Sequence, residues 1–283
     1  MAGTAAPPEN QTLADMLSAL SRVGRRLDSI GAVEASAGNV SVAMSWSVNL
    51  DEMFPVREPI ELPVYVPQLA GYTILVTGSG CQVHRLADDP LSVLGAIVVN
   101  TDGRTGILHR REPSDFRRPT VEFNSHLAVH AERVATTGAP FHCVIHAQPP
   151  YVAFLTHIPA YQSTATLTAA LMRWEAETIA HLPEGVGYVK FHVPGTSALM
   201  AANVEGLRRH RLVAWAKHGV MARSDVSPID ACDLVEYVEA AARFEYLNLA
   251  CGSPAEGLSA TDLNDVATTL GLPPVDLADV EEQ

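Results

Sequence analysis

The sequence predicts an α/β fold in which helices cover both sides of a central sheet. Helix-like and strand-like segments alternate along most of the 283 residues. The central strand-like segments, such as residues 142–147, are mainly apolar, as expected for strands covered on both faces. With 47% hydrophobic residues, the chain can bury the core of one or two domains.

The first half of the folded chain begins with a helix and continues with strands. Apolar residues recur at helical spacing through residues 11–30, and Gly31 ends this helix. Residues 39–44 alternate as a strand after a small-residue turn. Residues 73–76 form a strand that runs into the glycine-rich turn TGSG, and the run LGAIVVN predicts another strand.

The middle of the chain carries a helix between two buried strands. Pro119 opens a helix over residues 119–137, and Gly138 ends it. HCVIHA, residues 142–147, predicts a short buried strand. YVKFHVPGT, residues 188–196, predicts a strand that ends at the Pro-Gly turn.

The last third alternates helix, strand pair and helix. Residues 204–210 predict a helix, and residues 212–222 predict two strands joined by a turn. A long helix follows Ser227 as N-cap and ends at Gly252, and a weaker helix covers residues 259–270. We therefore divide the chain into a disordered N-terminus (1–10), a folded domain (11–252) and a C-terminal helix with an acidic tail (253–283).

Charge and composition exclude several classes of function. The formal net charge of −13 argues against a nucleic-acid or anionic-membrane surface. No run of 18 apolar residues is present, and the N-terminus lacks the pattern of a signal peptide. The four cysteines are far apart and form no CxxC motif, which predicts reduced thiols in a cytoplasmic protein.

Four polar residues stand where predicted elements begin or end. Glu122 lies in the first turn of the 119–137 helix, and His146 and Gln148 close the HCVIHA strand. His218 follows the LVAWA strand. Two imidazoles and a carboxylate suit a divalent metal of intermediate softness. By spacing alone, the alternatives stay open: hydrogen-bonded core histidines, and a glutamate that only stabilises a helix N-terminus.

Seven short motifs occur in one order along residues 12–250: AGNVS, TGSG, PTVE, HAQ, PEGVG, VPGT and KHG. In this order and spacing the chain resembles the class II aldolase/adducin family. The resemblance implies three α/β/α layers around a mainly antiparallel sheet. It also implies a small-molecule substrate and a homotetramer with active sites between subunits.

The resemblance also implies roles for individual residues. His146 and His218 match the metal ligands of the family, and Glu122 matches its acid/base glutamate, which also ligates the free metal. Glu177 matches a second glutamate that the neighbouring subunit supplies. The positions that match the phosphate site of the family are Gly38, Asn39, Thr77, Gly78 and Thr120.

Two positions depart from the family pattern. Gln148 stands where the family has a second metal histidine, and Val121 stands where it has a phosphate-binding serine. The remaining set of two histidines and a carboxylate is typical of non-haem Fe(II) enzymes and also suits Zn(II). We therefore expect one divalent ion per subunit, with Gln148 as an adjacent fourth group.

These departures favour a substrate without phosphate. The hypothesis is metal-dependent carbon–carbon cleavage, as an oxidative or simple decarboxylation of a small 2-oxo or 2-hydroxy acid without phosphate, with aromatic acids among the candidates. Decarboxylating oxygenases of aminocoumarin antibiotic pathways resemble the same family. The alternatives are a zinc-dependent ketose-1-phosphate aldolase and an adducin-like protein that binds without catalysis. We expect His126, His130 and His142 to pack and form hydrogen bonds rather than bind metal.

Overall fold

A nine-stranded sheet forms the centre of the computed structural model, which describes residues 11–252 and 254–273. The strands lie in the order β2-β5-β4-β3-β1-β6-β9-β8-β7, and every neighbouring pair is antiparallel except β7 with β8. The strands are β1 Asn39–Met44, β2 Val56–Glu61, β3 Thr73–Thr77, β4 Leu94–Val99, β5 Thr105–Arg110, β6 Phe141–Ala147, β7 Gly187–Val189, β8 Leu212–Trp215 and β9 Gly219–Ser224.

Helices cover both faces of this sheet, which confirms the predicted three layers. One face packs against α1, α4, α5 and α8, and the other packs against α3 and α7. The helices are α1 Leu13–Ser29, α2 Pro90–Val93, α3 Phe123–Thr137, α4 Pro150–Leu155, α5 Thr164–Met172, α6 Ala176–His181, α7 Ser197–Arg209, α8 Pro228–Cys251 and α9 Ala260–Leu270.

The central strands β1, β6 and β9 are buried at every position, and for β6 its apolar run predicts this burial. Successive side chains of a strand point to opposite faces of the sheet. The odd-numbered residues of β6 therefore pack in the core beneath α8. Its even-numbered residues, His142, Val144 and His146, lie on the face that α3 covers.

Helix α3 begins later than the sequence predicts. It starts at Phe123 rather than at Pro119, and Glu122 is its N-cap residue rather than a residue of its first turn. The cause is a tertiary contact, because the Thr120 N–H donates to the Thr77 carbonyl at 3.0 Å. This bond holds the segment against the end of β3. The predicted end at Gly138 is confirmed, with a left-handed φ of 66°.

The predicted strand at residues 188–196 is wrong beyond its start. Strand β7 covers only Gly187–Val189, and the chain then runs without regular structure to Thr196. Thr196 is the N-cap of α7 and accepts a hydrogen bond from the Leu199 N–H, so this helix is longer than the predicted one. Strands β2 and β5, which the patterns did not identify, lie at one side of the sheet, with β2 at its edge.

The predicted C-terminal helix is confirmed with its cap. Ser259 and Asp262 form a capping box at the start of α9. Leu263 and Ala267 of α9 pack on Ile179 of α6 in a small separate core. The predicted disorder of residues 1–10 and most of the acidic tail lie outside the described residues, and the domain division stays a prediction. Within 11–252 and 254–273, no helix is long and apolar enough to cross a membrane.

Candidate metal and active site

Three predicted ligands come together where central strands of the sheet end. Glu122 is the N-cap of α3, His146 is the penultimate residue of β6, and His218 lies in the turn between β8 and β9. One ligand atom from each residue lies within 4.8 Å of the other two. Residues nearly one hundred positions apart thus converge because the start of α3, the end of β6 and the turn between β8 and β9 lie side by side.

A tight turn places His218 beside the end of β6. Lys217 takes a left-handed φ of 61°, which reverses the chain directly before His218. A β-carbon on Gly219 would lie 2.3 Å from the Ala147 carbonyl oxygen, so only glycine permits this approach. The motif KHG therefore has a packing reason as well as a chemical one.

The His146 ring is oriented for metal binding. Its Nδ1 lies 2.8 Å from the Val220 carbonyl oxygen, which can only accept, so Nδ1 carries the hydrogen. The other ring nitrogen, Nε2, lies 3.7 Å from Glu122 Oε2 and is the one available to a metal ion. A backbone carbonyl that fixes the tautomer of a histidine is a common support of metal ligands.

The His218 imidazole is also held in the form that can bind a metal. Burial, followed by the nearby His146, lowers the pKa of His218 to about 4, although Glu122 opposes the shift. The ring is therefore neutral at pH 7. A metal ion competes with a proton for this nitrogen only in acid.

Glu122 offers one free oxygen to the site. Its Oε2 accepts a hydrogen bond of 2.8 Å from Asn39 Nδ2. Its Oε1 is buried and has no hydrogen-bond partner among the described residues. Burial works against ionisation, but His146 and the Asn39 hydrogen bond outweigh it and lower the pKa of Glu122. An ionised carboxylate with a buried, unsatisfied oxygen fits a bound cation.

The three residues fit the predicted divalent metal. Two neutral imidazoles and a carboxylate are ligands that Zn²⁺ and Fe²⁺ both accept. Gln148 lies one residue past β6, and its N–H donates to the Ala32 carbonyl at 2.7 Å. Its half-buried side chain makes no hydrogen bond to the described residues, and its role as a ligand stays a prediction.

Glu177 is not part of this cluster within one chain. It is exposed on α6, which packs with α5, α8 and α9 on the face of the sheet opposite to α3. There it lines a groove between α6 and α9. The role that the family resemblance gives it requires a neighbouring subunit, and this role stays a prediction.

The residues that match a phosphate site use most of their polar groups inside the protein. The Thr77 hydroxyl accepts from the Val40 N–H at 3.0 Å, and Thr77 is 1% exposed. The Gly78 N–H donates to the Val93 carbonyl at 2.9 Å. The side-chain amide of Asn39 bonds to Glu122 through its nitrogen. These groups are therefore hydrogen-bonded within the protein, and their contact with a substrate stays a prediction.

The other two positions of that set have structural roles. Gly38 has a φ of 78°, and a β-carbon there would lie 3.0 Å from the His146 carbonyl oxygen. The Thr120 hydroxyl lies 3.4 Å from the Glu122 N–H, at the start of α3. Both residues shape the surroundings of the ligands, and their contact with a substrate stays a prediction.

Val121, which precedes Glu122, is 60% exposed, and Phe191 and Val193 in the segment after β7 are 58% and 60% exposed. We call these three residues the apolar rim. The segment after β7 is tied to the start of α3 because Asn124 Nδ2 donates to the Gly195 carbonyl at 3.0 Å. The sequence identified Val121 but not its two partners, because their segment matched a strand.

Trp215 is a further site residue that the sequence did not identify. Its ring stacks on the His146 ring with centroids 4.3 Å apart, and its centroid lies 5.1 Å from that of His218. Its Nε1–H donates to Asn203 Oδ1 at 2.6 Å. The indole therefore confines both candidate ligands from the side of α7.

Comparison with known proteins agrees with this architecture. Residues 18–246 match the family described as Class II Aldolase and Adducin N-terminal domain. Rhamnulose-1-phosphate aldolase from an Escherichia coli O157:H7 strain is 26% identical over 245 residues, which cover 86% of this chain and 88% of that protein. Rhamnulose-1-phosphate aldolase from Bacteroides thetaiotaomicron is 25% identical over 263 residues, covering 92% and 96%.

The fold also matches that of a solved structure. The sugar-phosphate aldolase from Thermotoga maritima superposes with a TM-score of 0.72 at 26% identity. The match covers 86% of this chain and 98% of that one.

Proposed function

The chain belongs to the class II aldolase and adducin family, and we propose that it is a metal-dependent enzyme that cleaves a carbon–carbon bond. The favoured substrate is a small 2-oxo or 2-hydroxy acid without phosphate, and the reaction is a decarboxylation. The catalytic residues are Glu122 and Glu177, and the metal ligands are His146, His218 and Glu122, with Gln148 beside them.

One observation carries the choice of substrate. The Thr77 hydroxyl donates to the Val40 carbonyl at 3.4 Å and the Gly78 N–H donates to the Val93 carbonyl, while Val121 exposes an apolar side chain. Anion binding needs free N–H or hydroxyl donors. The apolar rim of Val121, Phe191 and Val193 instead suits an aromatic or other apolar group. Both features support a substrate that carries no phosphate.

The residues of the chain divide the chemistry between binding and proton handling. When bound by His146, His218 and Glu122, a divalent ion supplies Lewis-acid stabilisation of negative charge on substrate oxygen. Asn39 donates to Oε2 of Glu122, and Oε1 has no hydrogen-bond partner among the described residues. The proposed role of Glu177, from a neighbouring subunit, is to transfer the proton at the reacting carbon.

A second candidate function is a zinc-dependent aldol cleavage of a ketose 1-phosphate. The two curated relatives named above are rhamnulose-1-phosphate aldolases, and they align over most of this chain. In that reaction the same ligands would hold the ion. The adducin-like alternative predicts binding without turnover. The presence of Glu122, His146 and His218 in one cluster weighs against it.

Elemental analysis of anaerobically purified protein separates the forms of the reaction. Iron supports an oxidative decarboxylation with O2 as co-substrate, and zinc supports a simple decarboxylation or an aldol cleavage. If metal added after treatment with a chelator restores no turnover on any of these substrates, the result supports the adducin-like alternative. In light scattering we expect a homotetramer, and a fully active monomer would contradict the shared site.

Phosphate dependence tests the choice of substrate. We expect kcat/KM for 2-oxo and 2-hydroxy acids to exceed that for ketose 1-phosphates. The double variant Gln148→His with Val121→Ser restores a third imidazole and a hydroxyl, so we expect it to gain aldolase activity that the parent lacks. Each single variant is the matched control. A parent that cleaves ketose 1-phosphates and loses this activity when the phosphate is removed would contradict the proposal.

A further inference from the structure

A column of buried polar side chains runs beneath α3, away from the metal site. Ser41 of β1, His126 and His130 of α3, and His142 of β6 are each at most 1% exposed. The column separates two apolar clusters on this face, one under β3 to β5 and the other under β6, β8 and β9. Such groups are costly to bury unless each finds a hydrogen-bond partner.

The members of the column are linked in one continuous chain that begins at Asn39. Asn39 Oδ1 lies 2.5 Å from His126 Nε2, and His126 Nδ1 lies 2.6 Å from the Ser41 hydroxyl. The same hydroxyl lies 2.7 Å from His130 Nε2. His130 Nδ1 lies 2.7 Å from His142 Nδ1. Through Asn39, the chain reaches the candidate ligand Glu122.

Near the metal site, only one direction of hydrogen-bond donation satisfies every donor and acceptor. The Glu122 carboxylate accepts, so the NH2 of Asn39 faces it and the Asn39 oxygen faces His126. Because that oxygen can only accept, His126 carries its hydrogen on Nε2. His126 is fully buried, and its two ring nitrogens contact only the neutral groups of Asn39 and Ser41, so the ring is neutral and Nδ1 is bare. Nδ1 therefore accepts from the Ser41 hydroxyl.

The directions of the remaining hydrogen bonds, from Ser41 to His142, follow in the same way. The Ser41 hydroxyl has given its only hydrogen to His126, so His130 Nε2–H donates to it. Burial lowers the pKa of His130 well below its ordinary value, which leaves its Nδ1 bare to accept from His142 Nδ1–H. His142 Nε2 is then bare, and it has no hydrogen-bond partner among the described residues.

Charged groups at the far end keep this arrangement neutral. Asp225 Oδ1 lies 4.0 Å from His142 Nε2, and Arg133 Nε donates to the same carboxylate at 2.8 Å. Burial, followed by the positive charges of Arg223 and Arg133, lowers the pKa of His142 well below its ordinary value. Arg133 thus compensates the charge of Asp225, and no proton is required on His142 Nε2.

We propose that Ser41, His126, His130 and His142 form a one-directional hydrogen-bond relay that positions Asn39 and, through it, the candidate ligand Glu122. The proposal rests on the proposed metal site. Reversing the relay would turn the Asn39 oxygen toward the Glu122 carboxylate. The relay therefore holds the Asn39 donor on Oε2, the oxygen that lies 3.7 Å from His146 Nε2, and leaves Oε1 without a hydrogen bond among the described residues. All four members are positioning residues, because none belongs to the ligand cluster.

The principal test removes the central hydroxyl with little change in volume. Ser41→Ala breaks the relay between His126 and His130, and Ser41→Thr retains a hydroxyl. Val144→Ala is the matched control, because Val144 of β6 is buried on the same face of the sheet as Ser41 but makes no side-chain hydrogen bond. The measurement is the zinc affinity of folded, metal-free protein, determined by competition with a chelator.

We expect Ser41→Ala to bind zinc roughly tenfold or more weakly, as when outer hydrogen bonds of a metal site are lost. Ser41→Thr should bind close to wild type, and Val144→Ala should keep its affinity despite lower thermal stability. A Ser41→Ala protein with wild-type zinc affinity would overturn the proposal and reduce the column to a structural role.

A second measurement needs no variant. Long-range ¹⁵N–¹H correlation of the histidine rings, recorded on metal-free wild type at pH 7, reports each tautomer. We expect hydrogens on Nε2 of His126, Nε2 of His130 and Nδ1 of His142. A different tautomer or a doubly protonated ring at any of the three overturns the relay. If wild type binds no divalent ion, the proposed function fails, while the ring tautomers still decide the direction of the relay.

Discussion

The protein contains two groups of histidines that differ in what their ring nitrogens contact. The ligand group, His146 and His218, lies at element ends beside Glu122. The relay group, His126, His130 and His142, lies under the middle of α3. Burial separates them only in part, since His146 is nearly as buried as the relay histidines while His218 is half-buried. The difference is whether a lone pair remains free and faces other ligands.

In the ligand group one nitrogen is tied down and the other is open. Val220 holds His146 Nδ1, and Nε2 faces Glu122. In the relay group the nitrogens contact one another, Ser41 or Asn39, so all but one are satisfied without a metal. A histidine is thus a candidate metal ligand when one ring nitrogen has a fixed hydrogen-bond partner and the other faces another residue that can bind the metal.

The largest expected effect is acid destabilisation by the relay group. Burial holds the pKa of all three rings below the ordinary value of 6.5. Below pH 6.5 the unfolded chain therefore binds protons that the folded protein excludes, so stability falls as pH falls. Between pH 7 and 5 we expect a loss of about 6 kcal/mol in the free energy of unfolding, or about 2 kcal/mol per ring.

Urea unfolding of metal-free protein at pH 7, 6 and 5 measures this loss. The variant His142→Asn removes one titrating ring, so its stability should fall less steeply with acid, by about 0.7 to 1.4 kcal/mol per pH unit. Equal slopes for wild type and variant would mean that His142 is protonated in the fold. The comparison between the two groups would then lose its basis.

The next effect concerns the ligand group. His218→Asn removes an imidazole from the cluster, and we expect loss of bound metal and a fall in kcat/KM of at least about a thousandfold, or roughly 4 kcal/mol. His142→Asn is the contrasting variant from the relay group, and at saturating zinc it should still bind one ion per chain. Metal content is measured by elemental analysis of dialysed protein. Unchanged metal content in His218→Asn would show that the ion is held elsewhere.

The smallest effect concerns Trp215, which confines the ligand group without a donor atom directed at the ion. Trp215→Phe removes the larger ring and the bond to Asn203 Oδ1. We expect thermal stability to fall by about 1–3 kcal/mol because that oxygen is left buried without its partner. Zinc affinity should fall by at most roughly tenfold. A loss of metal as complete as in His218→Asn would place the indole in direct support of coordination.

The elements that the sequence predicted well are those with local signals. Helix α8 lies between Ser227 and Gly252 as predicted, and α9 differs from its predicted range by one residue. Strand β1 has the predicted bounds, and β6 differs from its prediction by one residue. Caps and periodicity involve residues within a few positions of one another, so the sequence alone determines them.

The candidate ligands were also accessible from the sequence, because each lies at the end of a recognisable element. The sequence analysis expected His126, His130 and His142 to pack and form hydrogen bonds, but it could not identify their partners. Its errors occurred where long-range contacts decide. Thr77 delays the start of α3, and the segment tied down by Asn124 and Gly195 is not a strand.

Only the tertiary structure decided which polar groups are free. Asn39 and Glu122 are 83 positions apart, and Ser41 and His130 are 89 apart, yet these contacts fix the carboxylate and the ring tautomers. The same holds for the engaged hydroxyl of Thr77 and for Glu177, which lies on the opposite face of the sheet from α3. A hydrogen bond depends on the position and direction of both partners, and the fold alone sets these for residues distant in sequence. The sequence thus determined which residues are available, and the tertiary structure decided which atoms can reach a metal or substrate.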